Sequence, residues 1–221
     1  MMNQRMPYDK STAIWSPDGE LVQLEYARKA SERGAAACAI IAGDSIVLGG
    51  EKSADPLMAS QPKIRQVDDN LYMIASGLTT DANLLISQAR IVVQQYRLIY
   101  GETIVPKRLA AMIGDLMARH TISGGLRPFG VSLLITGFDI TNNPQVLWVD
   151  NGGTFHTTKA YAIGRGSDEA LNYLREEFTA GNAPKNADEA KKMVLKILAK
   201  ARAEETVPDE EVDLKVLTAE S

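Results

Sequence analysis

The order of the periodic segments constrains this chain most: strands come in groups, and the helices between groups come in pairs. Ala35 to Ala42 (AAACAIIA) and Ser45 to Gly49 are two β-rich runs around the turn signal Gly43-Asp44, a pattern that predicts a buried hairpin. Lys63 to Val67 and Leu71 to Ala75 follow as strands, with the turn residues Asp68-Asp69-Asn70 between them. The segment between, Glu51 to Pro62, is polar, carries two prolines and predicts irregular structure. Thr79-Thr80-Asp81 opens a long helix, because their oxygens can cap free N–H groups and an aspartate suits the positive end of the helix dipole. Its apolar face is Ala82, Leu85, Ala89, Val92, Tyr96 and Ile99, and Gly101 ends it. Pro106 suits the first position of a second helix, with Leu109, Ile113, Leu116 and His120 on one side.

Gly130 to Phe138 (GVSLLITGF) then predicts a strand buried on both faces. Val146 to Val149 and Gly153 to His156 read as a strand pair, and Ala160 to Ile163 as another strand. Ser167 opens a third helix, and Asn186 with Glu189 has the spacing of a capping box for a fourth. The acidic stretch Ala203 to Glu211 reads as a solvated connector to a terminal strand, Val212 to Leu217. Paired helices between strand groups argue against a doubly wound parallel sheet, in which single helices alternate with single strands. The fold class is α+β: two antiparallel sheets stacked together with helices outside.

Composition sets outer limits. The 221 residues suit one large domain, 1–221, and a net charge of −4 argues against nucleic acid as the main partner. No apolar run is long enough to span a bilayer, and no signal-peptide h-region opens the chain. The single cysteine, Cys38, lies in an apolar run and reads as a small buried hydrophobe in a reducing, cytoplasmic setting (also nuclear for a eukaryotic source). With His156 as the one other histidine and no cysteine cluster, His120 reads as a surface or core residue and not as a metal ligand; no cofactor is expected.

Ahead of the core stands Tyr8 to Gly34, YDKSTAIWSPDGELVQLEYARKASERG. Its turn signal Ser16-Pro17-Asp18-Gly19 leads into a helix over 20–33, with Leu21, Leu24, Ala27 and Ala30 as the apolar stripe and Gly34 as its stop. This stretch resembles the N-terminal signature of proteasome α-subunits: a Tyr-Asp pair, then aromatic-Ser-Pro-Asp-Gly, then a helix carrying Gln-(Val/Leu)-Glu-Tyr-Ala. Ser76 to Ala82 (SGLTTDA) and Gly124 to Ser132 (GGLRPFGVS) are similar to two further signatures of that family, so the resemblance runs from Tyr8 to about Leu217. It implies the four-layer αββα sandwich of the N-terminal nucleophile hydrolases, with an added N-terminal helix and a core over 35–217.

The resemblance also implies a role. Active members of that superfamily need a Thr, Ser or Cys at a freed N-terminus, where its own amino group serves as base. Here the matching place reads Gly34-Ala35-Ala36-Ala37, which has no hydroxyl or thiol and follows a helix, so a non-catalytic subunit is expected. As in α-subunits, it would form a seven-membered outer ring with copies or homologues and stack on β-subunits. Its work would be to control access of unfolded protein substrates and to dock activators. From the residues alone Lys63 reads as a solvated surface lysine. The resemblance places it instead in a pocket between neighbours, with Gly19 and Leu21 nearby, where it pairs with the C-terminal carboxylate of regulatory ATPases and other activators.

Residues 1–11 are polar and unpatterned, and are expected to be mobile until packed against copies of themselves. Tyr8, Asp9, Pro17 and Tyr26 match the family's gate cluster. Three positions depart from the family pattern: Lys10 and Glu20 where arginine (or lysine, after the turn) is frequent, and Trp15 for phenylalanine. Two other readings stand beside this one: an autoprocessed hydrolase freed before Ser31, Cys38 or Ser45, and a monomeric scaffold domain.

Overall fold

The computed structural model describes Thr12, residues 14–52, Leu57 and residues 62–219. One helix, α1 (Val22–Glu32), precedes four strands: β1 (Ala37–Ala42), β2 (Ser45–Glu51), β3 (Ile64–Asp68) and β4 (Leu71–Gly77). Helices α2 (Thr79–Tyr100) and α3 (Pro106–Ile122) follow, then β5 (Val131–Phe138), β6 (Pro144–Val149), β7 (Phe155–Thr158) and β8 (Ala160–Ile163). Helices α4 (Ser167–Thr179) and α5 (Ala187–Arg202), a short 3₁₀ turn (Asp209–Glu211) and β9 (Val212–Thr218) complete the described order.

The strands form two antiparallel sheets, ordered β8-β1-β2-β9 and β3-β4-β5-β6-β7. Helices α2 and α3 cover the five-stranded sheet, and α4 and α5 cover the four-stranded one. This is the αββα sandwich. Strand alternation builds its three apolar layers. In β5, Leu133 and Ile135 point to α2 and α3, while Leu134 points to the facing sheet. In β1, Cys38 and Ile40 meet α5 residues such as Val194 and Ile197, while Ala37 and Ala39 pack between the sheets. Each central strand therefore buries both faces, which is why the sequence reads as unbroken apolar runs.

Several boundaries and faces differ from the sequence reading. Helix α1 starts at Val22 because 16–20 are closed into a turn, and its buried residues are Val22, Ala27 and Ser31, not the stripe through Leu21, Leu24 and Ala30. Helix α2 buries Leu85, Ile86, Ala89 and Val93, while Ile99 is 72% exposed on the last turn, which overshoots the sheet. No side chain caps α2; Asp81 turns away to another partner. In α3 the buried position is Met117, one residue past Leu116. β7 begins two residues late because Asp150 accepts from the Thr154 N–H and the Gly153 N–H bonds its carbonyl, lengthening the loop. The acidic connector is also not simply solvated: Val207 is buried, and Glu211 bonds Arg202 at 2.6 Å. The capping box of α5 is present, with Asn186 Oδ1 accepting from the Glu189 N–H at 3.0 Å.

Candidate functional site

At the end of the hairpin β1–β2, a buried carboxylate gathers the residues that the sequence kept apart. Glu51, the last residue of β2, has a side chain 1% exposed. Its Oε1 accepts from Arg202 Nε at 3.0 Å, and its Oε2 accepts from Arg165 Nη2 at 2.8 Å and from the Ala36 N–H at 3.0 Å. The sequence reading placed Glu51 in an irregular polar segment. A single acid at the end of an otherwise apolar strand was the available signal, since a charge carried into a core must be met by partners there.

Lys63 stands beside this cluster. It leads into β3 and packs across β2: a Cβ at Gly50 would lie 2.5 Å from Lys63 Cγ, so only glycine leaves room for the stem. The lysine is half-buried, not the solvated residue that its surroundings in the sequence suggest. Burial pushes its ammonium down to about 8; the Glu51 carboxylate opposes the shift and the Arg165 guanidinium adds to it. Glu51 already accepts from two arginines and an amide, and Lys63 makes no hydrogen bond to a carboxylate among the described residues. The cluster therefore holds a half-buried cation with donor capacity left for an anion.

The polypeptide just before β1 is clamped. Gly34 N–H bonds Ser31 O, its carbonyl accepts from the Arg165 N–H at 2.9 Å, and Ser76 Oγ donates to Ala35 O at 3.0 Å. A Cβ on Gly34 would lie 2.1 Å from the Gly77 nitrogen, so α1 reaches β4 only through a glycine. Ala36 is thus an amide inside a continuous chain, its N–H committed to Glu51. Ser31, within α1, is 3% exposed and donates to Arg28 O and Asn151 Oδ1. Cys38 is wholly buried, and burial pushes its thiol up to about 12, which keeps it out of the reactive thiolate form.

Two ties went unread in the sequence. Arg127 and Asp81, from two separate motifs, form a bidentate pair at 2.7 Å on each side, and Asp81 also accepts from the Gly130 N–H. Asn151, read as a turn residue, is buried; it receives the Ser31 hydroxyl and donates to the carbonyls of Phe129 and Val131 at 2.9 Å. It fastens α1 to β5.

Of the residues singled out beforehand, Tyr8 and Asp9 lie outside the described residues, as does Lys10. Pro17 occupies the turn 16–20, in which Gly19 N–H bonds Ser16 O, Ser16 N–H bonds Glu20 O, and Gly19 has the left-handed φ of 78°. Leu21 ends that turn and precedes α1, and Tyr26 lies on the exposed side of α1. Helix α1 packs on β4 and β5, whereas Lys63 leads into the outer strand β3, and no hydrogen bond among the described residues joins Lys63 to the turn. No three His, Cys, Asp or Glu side chains among the described residues are grouped to hold a metal, and none of the helices there is long and apolar enough to cross a membrane.

The sequence model of the family described as "Proteasome subunit" matches residues 31–217, and the model of the N-terminal signature of its A-type members matches 8–30. The chain belongs to the proteasome α-subunit family. Among its relatives, an alpha-type proteasome chain of Methanocaldococcus jannaschii is 38% identical over 214 residues, covering 96% of this chain and 80% of the relative. The mouse alpha type-8 proteasome chain is 36% identical over 86% of this chain and 77% of its own length. A Drosophila melanogaster relative, of the alpha type-4-like kind, is 33% identical over 94% and 84%. For a proteasome α-type chain, the matched signature contains the Pro17 turn and most of α1, and the larger match spans the Glu51–Lys63 cluster.

Proposed function

We propose that this chain is a non-catalytic member of the outer ring of a proteasome core particle, made of seven copies or homologues and stacked on β-subunits. One observation carries the non-catalytic reading: where an N-terminal nucleophile hydrolase needs a Thr, Ser or Cys, Gly34 is followed by alanines, in a segment held by Arg165 at the Gly34 carbonyl and by Ser76 at the Ala35 carbonyl. Alanines at 35–37 offer no attacking atom.

The Lys63 cluster serves as receptor for the terminal carboxylate of an activator tail, with Gly19 and Leu21 contributed by the turn of a neighbouring copy. A half-buried point cation beside a saturated acid suits a single carboxylate. Residues Tyr8, Asp9, Pro17 and Tyr26 hold the gate for unfolded substrates. An exposed row on α2, Leu84, Ile91 and Leu98, repeats every seven residues and supports docking of this helix on another chain of the particle.

Native mass spectrometry of the full-length chain with β-subunits, with intact mass from the same sample, tests the reading. Seven unprocessed copies per ring are expected. A shortened chain whose new N-terminus reacts with an active-site acylating probe would overturn it.

A further inference from the structure

Two clefts at opposite sheet edges are lined mainly by charges of opposite sign. β3 and β9 are outer strands of their own sheets and lie against each other. The groove between them, about 520 Å³, is lined by Arg65, Arg90 and Lys215. Two of these cations are held in position. Arg90 donates twice to Gln66 O, at 2.7 and 3.1 Å, and the Lys215 ammonium stands 4.5 Å from the centre of the Tyr72 ring. Asp213, which also lines the groove, accepts from the Ile64 N–H at 2.9 Å.

The cleft at the opposite edge is mainly acidic. β8 is the other outer strand of the four-stranded sheet and lies over β5 and β6. Between β8, α1 and α4 opens a second cleft, about 360 Å³. Glu25, Glu32, Asp150 and Asp168 line it, against Arg28, which is itself shared between Glu25 at 2.8 Å and Glu32 at 3.4 Å. The rings of Trp148 and Tyr161, stacked 4.4 Å apart, form an aromatic wall on which a guanidinium can lie.

We propose that these are the two halves of one contact between copies of this chain: the basic β3/β9 groove of one copy receives the acidic cleft of the next. The inference deepens the ring reading above and rests on it. Because the two surfaces differ and occupy opposite edges, the contact is head to tail, and such contacts close into rings when the rotation per copy allows. Opposed charge steers the encounter and fixes the register. Arg65 and Lys215 on one side and Glu32 and Asp168 on the other select the neighbour, and a sibling with the same sign at both sites is rejected.

The test uses the full-length chain, with and without β-subunits, read by native mass spectrometry and sedimentation. R65E/K215E is expected to raise the concentration needed for ring assembly at least about tenfold, as is E32R/D168R. Combining all four substitutions in one chain restores assembly, because the signs are again opposed. Thermal unfolding reports whether each variant folds; if R65E/K215E does not, R65Q/K215Q is used, and its assembly should lose much of its salt sensitivity. Rings that form as readily in both reversed variants, or a fourfold variant that folds but does not recover, overturn this contact and leave the α-ring reading intact. A wild-type chain that stays monomeric even with β-subunits overturns both.

Discussion

Lys63 shows how a single residue changes meaning when its surroundings are known. Its ammonium is held down to about 8 chiefly by burial, so the charged form predominates at pH 7 and is lost as pH rises through about 8. If it receives an activator carboxylate, stimulation of peptide turnover by a tail peptide should fall between pH 7 and 9, ahead of the free lysine range. Lys63→Ala should abolish stimulation while rings still assemble. Lys63→Arg should keep stimulation at pH 9, because a guanidinium stays charged there. Normal stimulation of the alanine variant would remove Lys63 from the role. Gly50 is the silent partner in this, since the stem fits only over a residue without a side chain.

Between elements, the Asp81–Arg127 pair joins the first turn of α2 to the loop entering β5. Asp81 is 4% exposed, and the Arg127 guanidinium, then the Gly130 N–H, hold its carboxyl below the usual range. Asp81→Ala leaves that N–H without its acceptor and should cost on the order of 2–3 kcal/mol in chemical unfolding. The sign of the pH dependence follows from the depressed value. The contribution is present above about pH 4, where the unfolded carboxyl is also ionised, and fades as pH falls through the folded value. The wild-type and Asp81→Ala stabilities should therefore converge in acid. A constant gap down to pH 2 would show that the pair acts through packing alone.

For the whole molecule, α1 and the turn before it sit outside the sandwich and are pinned to it by Ser31, Asn151 and the clamp at Gly34. That fixes the place of the turn at 16–20 on the body. Deleting Met1 to Ser11 should speed peptide turnover several-fold in an assembled particle, without loss of the ring. Unchanged turnover would count against a gating role for this segment.

Element order, the hairpin at Gly43-Asp44, the both-sides-buried β5 and the capping box of α5 were legible in the sequence, because each depends on period, turn chemistry or capping over a few residues. The absence of an attacking atom at 35–37 was legible for the same reason, being a matter of residue identity alone. Only the tertiary structure decided that Glu51 is buried among Ala36, Arg165 and Arg202, that Asp81 leaves its helix end for Arg127, and that β7 and β8, one residue apart, belong to different sheets. These partners lie 15 to 151 residues apart in sequence, or turn on which sheet accepts a strand. Local periodicity says nothing about either, because chain folding alone brings such groups within hydrogen-bond reach.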